Sequence, residues 1–302
     1  MSGHALRPAS GTVRSILRAG RKQLRKLSLF RQPLPAGGVR EGLAAFGRPQ
    51  NKLVMIHSSL SACGYIFGGE GAVVRLLREW CSGSTLVMPT HTYCYPDSQG
   101  NVVAFDPSAT PSVVGIVTDC FWRERGSLRS RHPTHSLAAQ GPLAEALIAG
   151  HENCETPCGP GSPYERLVEW SAGVLMFGAT LNSYTLFHTA EDAADVSYLY
   201  EPRRYELKSV KPSGAIQSVK TKRHDMSVER RFAKIDGWLE GQGLLHRRLL
   251  GRGELLWIPD AAAAHRALVE KLRHDSLFLV SAQARERCLS TTQPASPRLR
   301  AR

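Results

Sequence analysis

The chain of 302 residues has no apolar run approaching the roughly 20 residues that span a bilayer, and it does not open on a secretory pattern. It has no Gly-x-Ser-x-Gly elbow, and its serine- and glycine-rich turn near residue 58 matches neither a P-loop nor a dinucleotide fingerprint. A serine hydrolase of the elbow type and the commonest nucleotide-binding classes are thereby disfavoured. The seven cysteines are an odd number, spread along a chain too long to need disulfide staples. They point to free thiols in a reducing compartment, and so to the cytoplasm. His151, Cys154 and Cys158 do not have the spacing of a zinc module, and no metal is expected.

Acid is missing from the first 40 residues, which hold nine Lys or Arg. The other 30 bases face 26 acids, so the body carries only +4 of the net +13. With no recognisable binding module, that balance gives no support to a nucleic-acid partner. Within residues 1–35, Val13, Ile16, Leu17, Leu24 and Leu27 follow helical spacing between basic residues. This basic extension fits peripheral contact with an anionic membrane, an import presequence, or a helix packed on the domain with a solvated face. Residues 36–285 form the expected domain, and the Ser-, Pro- and Arg-rich 286–302 reads as a disordered tail.

Short apolar runs at 52–57, 84–89, 137–139 and 173–177 suit buried strands. Helical patterns follow Gly68-Gly69 and occupy 113–125, 144–149, 164–169, 235–240 and 261–272. Thr110-Pro111-Ser112 reads as the start of the 113–125 helix. Tyr205–Val219 reads as a hairpin around Pro212-Ser213-Gly214. The strand-loop-helix-strand order indicates an α/β fold.

Four stretches carry chemistry. His57-Ser58-Ser59 ends a strand, where hydroxyls and open backbone N–H groups suit a phosphate or amide, though Ser and Gly also build ordinary turns. Arg129, Arg131, His132 and His135 cluster within Arg129–Ser136 and can contact an anionic or carbonyl-bearing ligand. Thr156–Tyr164 is a rigid loop capping the next helix. In LMFGATLNSYTLFHTAED, residues 175–192, a strand runs through Gly178 into a segment placing His188 three residues from Glu191. An imidazole one helical turn from a carboxylate suits a general base with its orienting partner. Thr185, His188, Glu191, Asp192 and Asp195 share one face if the segment is helical, and an acidic face suits an amine.

Six motifs in this order, HSSLSACG, GSTLVMPT, FDPSATPSVVG, RSRHPTHSLAAQG, CGPGSPYERL and LMFGATLNSYTLFHTAE, resemble the aminoglycoside 3-N-acetyltransferase family over about residues 38–280. The resemblance implies a mixed, largely parallel central sheet flanked by helices, distinct from the common acetyltransferase fold. It implies acetyl-CoA as co-substrate and a small-molecule amine as acceptor, by default the 3-amino group of a 2-deoxystreptamine ring. It implies His188 as general base, Glu191 as its orienting partner and Thr185 beside the thioester. His57, Ser58, Ser59, Thr110, Pro111, Ser112 and Arg129 would contact the coenzyme. His135, Asp192 and Asp195 would face the acceptor. Arg203, Arg204 and Lys208 follow the acidic stretch and leave open an amino sugar or other amine of a biosynthetic pathway, or a silent CoA-binding relative.

Overall fold

The apolar runs Leu53–Ser58 (β1) and Gly173–Phe177 (β5) lie side by side, parallel, in the middle of a seven-stranded sheet. The structure, a computed structural model, describes residues 33–291. The chain order begins with α1 (Ala36–Ala44), β1, α2 (Leu60–Cys63), α3 (Gly69–Trp80), β2 (Thr85–Pro89), α4 (Ile116–Trp122), β3 (Leu128–Arg129) and β4 (Leu137–Gln140). It continues with α5 (Ala144–Ile148), α6 (Pro163–Glu169), β5, α7 (Leu186–Ala193), β6 (Tyr200–Val210) and β7 (Ile216–His224). It closes with α8 (Asp236–Gly241), β8 (His246–Leu250), β9 (Gly253–Ile258), α9 (Ala261–His274) and α10 (Ala282–Thr291). Among the described residues no helix is long and apolar enough to cross a membrane.

The sheet runs β3-β4-β2-β1-β5-β9-β8. It is mixed and flanked by helices, but its parallel part is confined to β2-β1-β5. The other pairings, β2 with β4, β4 with β3, β5 with β9 and β9 with β8, are antiparallel, which corrects the expectation of a largely parallel sheet. The reason lies in the connections. Parallel neighbours need a long crossover, which α3 supplies between β1 and β2, whereas a two-residue link such as Gly251-Arg252 reverses the chain.

Alternation along the central strands divides the core. Val54, Ile56, Leu86, Met88, Leu175 and Phe177 pack with Val39 and Leu43 of α1, Val73, Val74 and Leu77 of α3 and Phe121 of α4. Leu53, Met55, Val87, Val174 and Met176 point to the other face, against Tyr164 and Leu167 of α6, Phe187 and Ala190 of α7 and Leu268 and Leu272 of α9. Period-two patterning thus gives both faces of one strand a covering layer of helices. Each such side chain contributes about 1.5–3 kcal/mol on full burial.

Three boundaries depart from the sequence reading. The helix expected from 113 starts at Ile116, because Gly115 sits at φ +120°, outside helical space, so Thr110-Pro111-Ser112 lie in the loop before it. The hairpin is longer than expected, running from Tyr200 to His224 with its turn near Gly214. The tail expected from 286 begins inside α10, and only 292–302 fall outside the described residues. Residues 1–32, which carry the expected amphipathic helix, also lie outside them.

Candidate active site

The parallel strands converge on one end of the sheet. Ser58 ends β1, Pro89 ends β2 and Phe177 ends β5. Beyond strand ends of this kind, open α/β sheets form their ligand crevices. At Gly178, φ is +66° and an added Cβ would meet the Cys63 sulfur at 2.6 Å and the Ser59 carbonyl at 2.7 Å. Only glycine allows β5 to turn there so close to the loop after β1. A cavity of about 520 Å³ opens at this end, lined among others by His57, Ser58, Pro89, His91, Tyr95, Thr134, His135, Asn182, Thr185, His188, Arg223, His224 and Phe232.

His188 lies in the first turn of α7, with its side chain 18% exposed. Its Nδ1 is 2.7 Å from Glu191 Oε2, the i to i+3 contact that helical geometry provides. His224, at the end of β7, stacks on the ring at 4.0 Å between centroids, and Phe232 meets it edge-on at 5.7 Å. Tyr200 stacks on the far side of His224. The imidazole is therefore fixed in orientation on two sides.

Glu191 is fully buried, and its other oxygen accepts from Arg230 Nε at 2.8 Å. Arg230 is held in turn by the carbonyls of Asp225, Val228, Tyr198 and Leu199. Burial alone would raise the Glu191 carboxyl, but the His188 hydrogen bond and the Arg230 charge outweigh it and keep the group below the usual range. Nothing in the run HDMSVERRF marks Arg230 as part of this site, since only the return of the chain past β7 brings it under α7. We expect Arg230→Gln to destabilise the fold by about 3–5 kcal/mol in urea titration, because it strands a buried carboxylate. In Glu191→Gln/Arg230→Gln most of that loss should be recovered, and equal losses in the single and double variants would refute the pairing.

Histidines dominate the cavity wall and the layer behind it. The His132 ring stacks on His151 at 4.7 Å and meets His135 at 6.3 Å, and His135 lies 4.7 Å from His91 and 5.0 Å from His224. Burial pushes His57 and His151 down to about 3 and His132 and His224 well below the ordinary value. Burial, reinforced by neighbouring imidazoles, also lowers His91 and His135. The set is therefore neutral at pH 7. Among the described residues no group of His, Cys, Asp or Glu side chains is arranged to hold a metal ion. Three buried polar atoms at the cavity have no hydrogen-bond partner: His57 Nε2, Ser58 Oγ and His224 Nε2.

The sequence candidates divide into two sets. His57, Ser58, His135, Thr185 and His188 line the cavity, with Glu191 directly beneath. The remainder do not line it. Ser59 stands at the N-terminal boundary of α2, where its side chain makes no capping bond. Thr110 Oγ1 accepts from the Asp106 amide, and Thr110 precedes Pro111 and Ser112 in the loop before α4. Arg129 is buried between the Phe105 and Trp122 rings and donates to Thr90, Ser136 and the Thr110 carbonyl, a strut between loops, with burial lowering it to about 10. Asp192 accepts from Thr156 and Tyr200. Asp195 lies beyond the end of α7 at φ +51°, so the five-residue polar face expected there stops at Ala193. Arg204 pairs with Glu155 at 2.6 Å, whereas Arg223, which the sequence reading passed over, reaches the cavity.

Comparison with known proteins decides the relationship. The family model described as aminoglycoside 3-N-acetyltransferase matches residues 55–272.

The chain belongs to this family.

Every cavity-lining residue named above lies inside the matched span. The chain is 33% identical over 180 residues to aminoglycoside N(3)-acetyltransferase IX of Micromonospora chalcea, a match covering 54% of this chain and 64% of that relative. It therefore spans less than two thirds of that relative's length. Among solved structures, aminoglycoside acetyltransferase AAC(3)-Xa superposes with a TM-score of 0.73 at 28% identity, covering 83% of this chain and 98% of that one. AAC-IIIb, solved as a binary complex with CoASH, gives 0.71 at 27% identity, covering 80% and 97%.

Proposed function

We propose that the protein is an acetyl-CoA-dependent N-acetyltransferase in which His188 takes the proton of the attacking amine. The observation that carries this is the partly exposed His188 on the cavity wall, its Nδ1 held 2.7 Å from buried Glu191. With Nδ1–H donated to the carboxylate, Nε2 is the basic nitrogen. The amine nitrogen forms a bond to the thioester carbonyl carbon, the C–S bond breaks, and the amine proton passes through His188 to the departing thiolate, giving an amide and CoASH.

The co-substrate fits the residues present. Its carbonyl oxygen gains charge as the amine attacks, and the unpartnered His57 Nε2 and Ser58 Oγ are donors available at the cavity. The CoASH complex of AAC-IIIb supports the same assignment. Direct transfer needs no acyl-enzyme. The Cys158 thiol is fully buried and raised well above its ordinary value by burial and by Asp192 and Glu191, and Ser136 is buried and donates to the Thr90 carbonyl. Reliance on acetyl-CoA accords with a cytoplasmic reaction. Family membership supplies an aminoglycoside as the acceptor class. A second reading, an amino sugar, is favoured by the cavity wall, which carries Arg223 and no carboxylate side chain among the described residues.

The test is CoA release from acetyl-CoA, followed by thiol titration, across aminoglycosides and amino sugars. Amine-dependent release with a stoichiometric amide product is the expected result. Release at an equal rate without amine would show a thioesterase and overturn the proposal.

A further inference from the structure

Charge inside the cavity restricts what can bind beside His188. Arg223 is the cationic side chain on the wall, its guanidinium over the Tyr95 ring at 4.5 Å and its Nε 3.4 Å from Glu201. Glu201 thus meets that guanidinium at ion-pair distance through Nε. Acids nearby are turned away from the cavity. Glu191 spends both oxygens on His188 and Arg230, and Asp192 accepts from Thr156 and Tyr200. Among the described residues the wall carries no carboxylate, and His57, His91, His135 and His224 on it are neutral. Two of these imidazoles, each 3% exposed, have an unpartnered Nε2 at the cavity and so await a ligand group. Such a wall hydrogen-bonds hydroxyls and accepts one anion. It offers no carboxylate to a molecule carrying several ammonium groups.

On the acetyl-transfer reading above, we infer that the acceptor is an amino sugar bearing an anionic group, phosphate or carboxylate, which Arg223 holds while His224 binds a hydroxyl. The hairpin that carries Arg223 extends the same field outward. Arg203, Lys208 and Lys220 are exposed on it, which would steer an anion toward the cavity mouth.

The experiment compares kcat/KM for glucosamine, glucosamine 6-phosphate, 2-amino-2-deoxyglucuronic acid and a 2-deoxystreptamine aminoglycoside, with wild type, Arg223→Gln and Arg223→Lys. A charge-assisted bond of this kind is worth about 10–100-fold. Wild type should prefer one of the two anionic sugars over glucosamine by that factor, and the better of the two identifies phosphate or carboxylate. In Arg223→Gln the preference should fall toward one, mainly through the acceptor KM, and Arg223→Lys should retain most of it. Melting temperatures near that of wild type would separate this from misfolding.

Three results would overturn the inference. An aminoglycoside turned over better than either anionic sugar would do so. So would Arg223→Gln raising the acetyl-CoA KM while leaving the acceptor preference intact, since the guanidinium would then serve the coenzyme's phosphates. Turnover of the amines with no preference for charge is the third. Turnover of none of the amines would instead remove the transfer reading itself, and this inference with it.

Discussion

His188→Ala is expected to lower kcat/KM for acetyl transfer by about 10²–10⁴-fold, the range that a general base contributes, while the variant stays folded and still binds CoA. Binding should survive because the donors proposed for the coenzyme, His57 and Ser58, lie on β1 rather than on α7. The loss of stability should be smaller than in Arg230→Gln because Glu191 keeps its Arg230 partner. Glu191→Gln separates orientation from proton acceptance. An amide in place of the carboxylate still hydrogen-bonds Nδ1 but no longer stabilises the imidazolium, so a smaller loss with a shifted pH–rate profile is expected. The comparison is made by steady-state kinetics with thiol titration and by CoA titration of each variant. Full activity in His188→Ala would rule out the mechanism.

Mild acid should unfold the protein. His57, His132, His151 and His224 are each 3% exposed or less and lie below their ordinary value because burial disfavours the charged ring. The folded pKa is thus lower than the unfolded value near 6.5, and between the two the unfolded chain binds more protons. Stability from these groups is complete only about a unit above pH 6.5 and is lost as pH falls through 6.5 toward about 3, where His57 and His151 titrate in the fold. Each group contributes at most about 1.4 kcal/mol per pH unit. Four together lower stability at pH 5.5 by roughly 5 kcal/mol, a large share of the roughly 5–15 kcal/mol of an ordinary domain. The Glu191 carboxyl, held low by His188 and Arg230, adds to the loss only at still lower pH. Urea titrations at pH 7.5, 6.5 and 5.5 test this. The midpoint should already drop over the first interval, by the loss of roughly 1.5 kcal/mol, and fall about three times as far over the second. A midpoint unchanged to pH 5.5 would mean that the buried imidazoles charge without cost.

Much of the site was legible because its chemistry is local. His188 and Glu191 meet through the pitch of a single helix, so spacing alone predicts their contact. His57 and Ser58 follow from the end of a buried apolar run. The reading failed where a residue's role depends on distant chain. Arg129 has the sequence context of a ligand-binding cation, yet Phe105, Trp122, Thr90 and Ser136 surround it and use it as a strut. Asp195 was placed on the acidic face by extending a helix that stops at Ala193. The strands β8 and β9 escaped notice, although Leu255–Ile258 is a short apolar run of the same kind as β1.

By itself, then, the sequence determined the alternating buried strands, the helices that cover them, the His188–Glu191 pair and the resemblance that family comparison bears out. These depend on periodicity and on contacts within a few residues. Only the tertiary structure decided that Arg230 neutralises Glu191, that His224 stacks on the His188 ring, and that Arg223 faces the cavity while Arg204 turns to Glu155. Each of those requires two segments at least 30 residues apart to be brought together, or a choice of which side of a hairpin faces inward. Register and packing make that choice, and no local pattern encodes it.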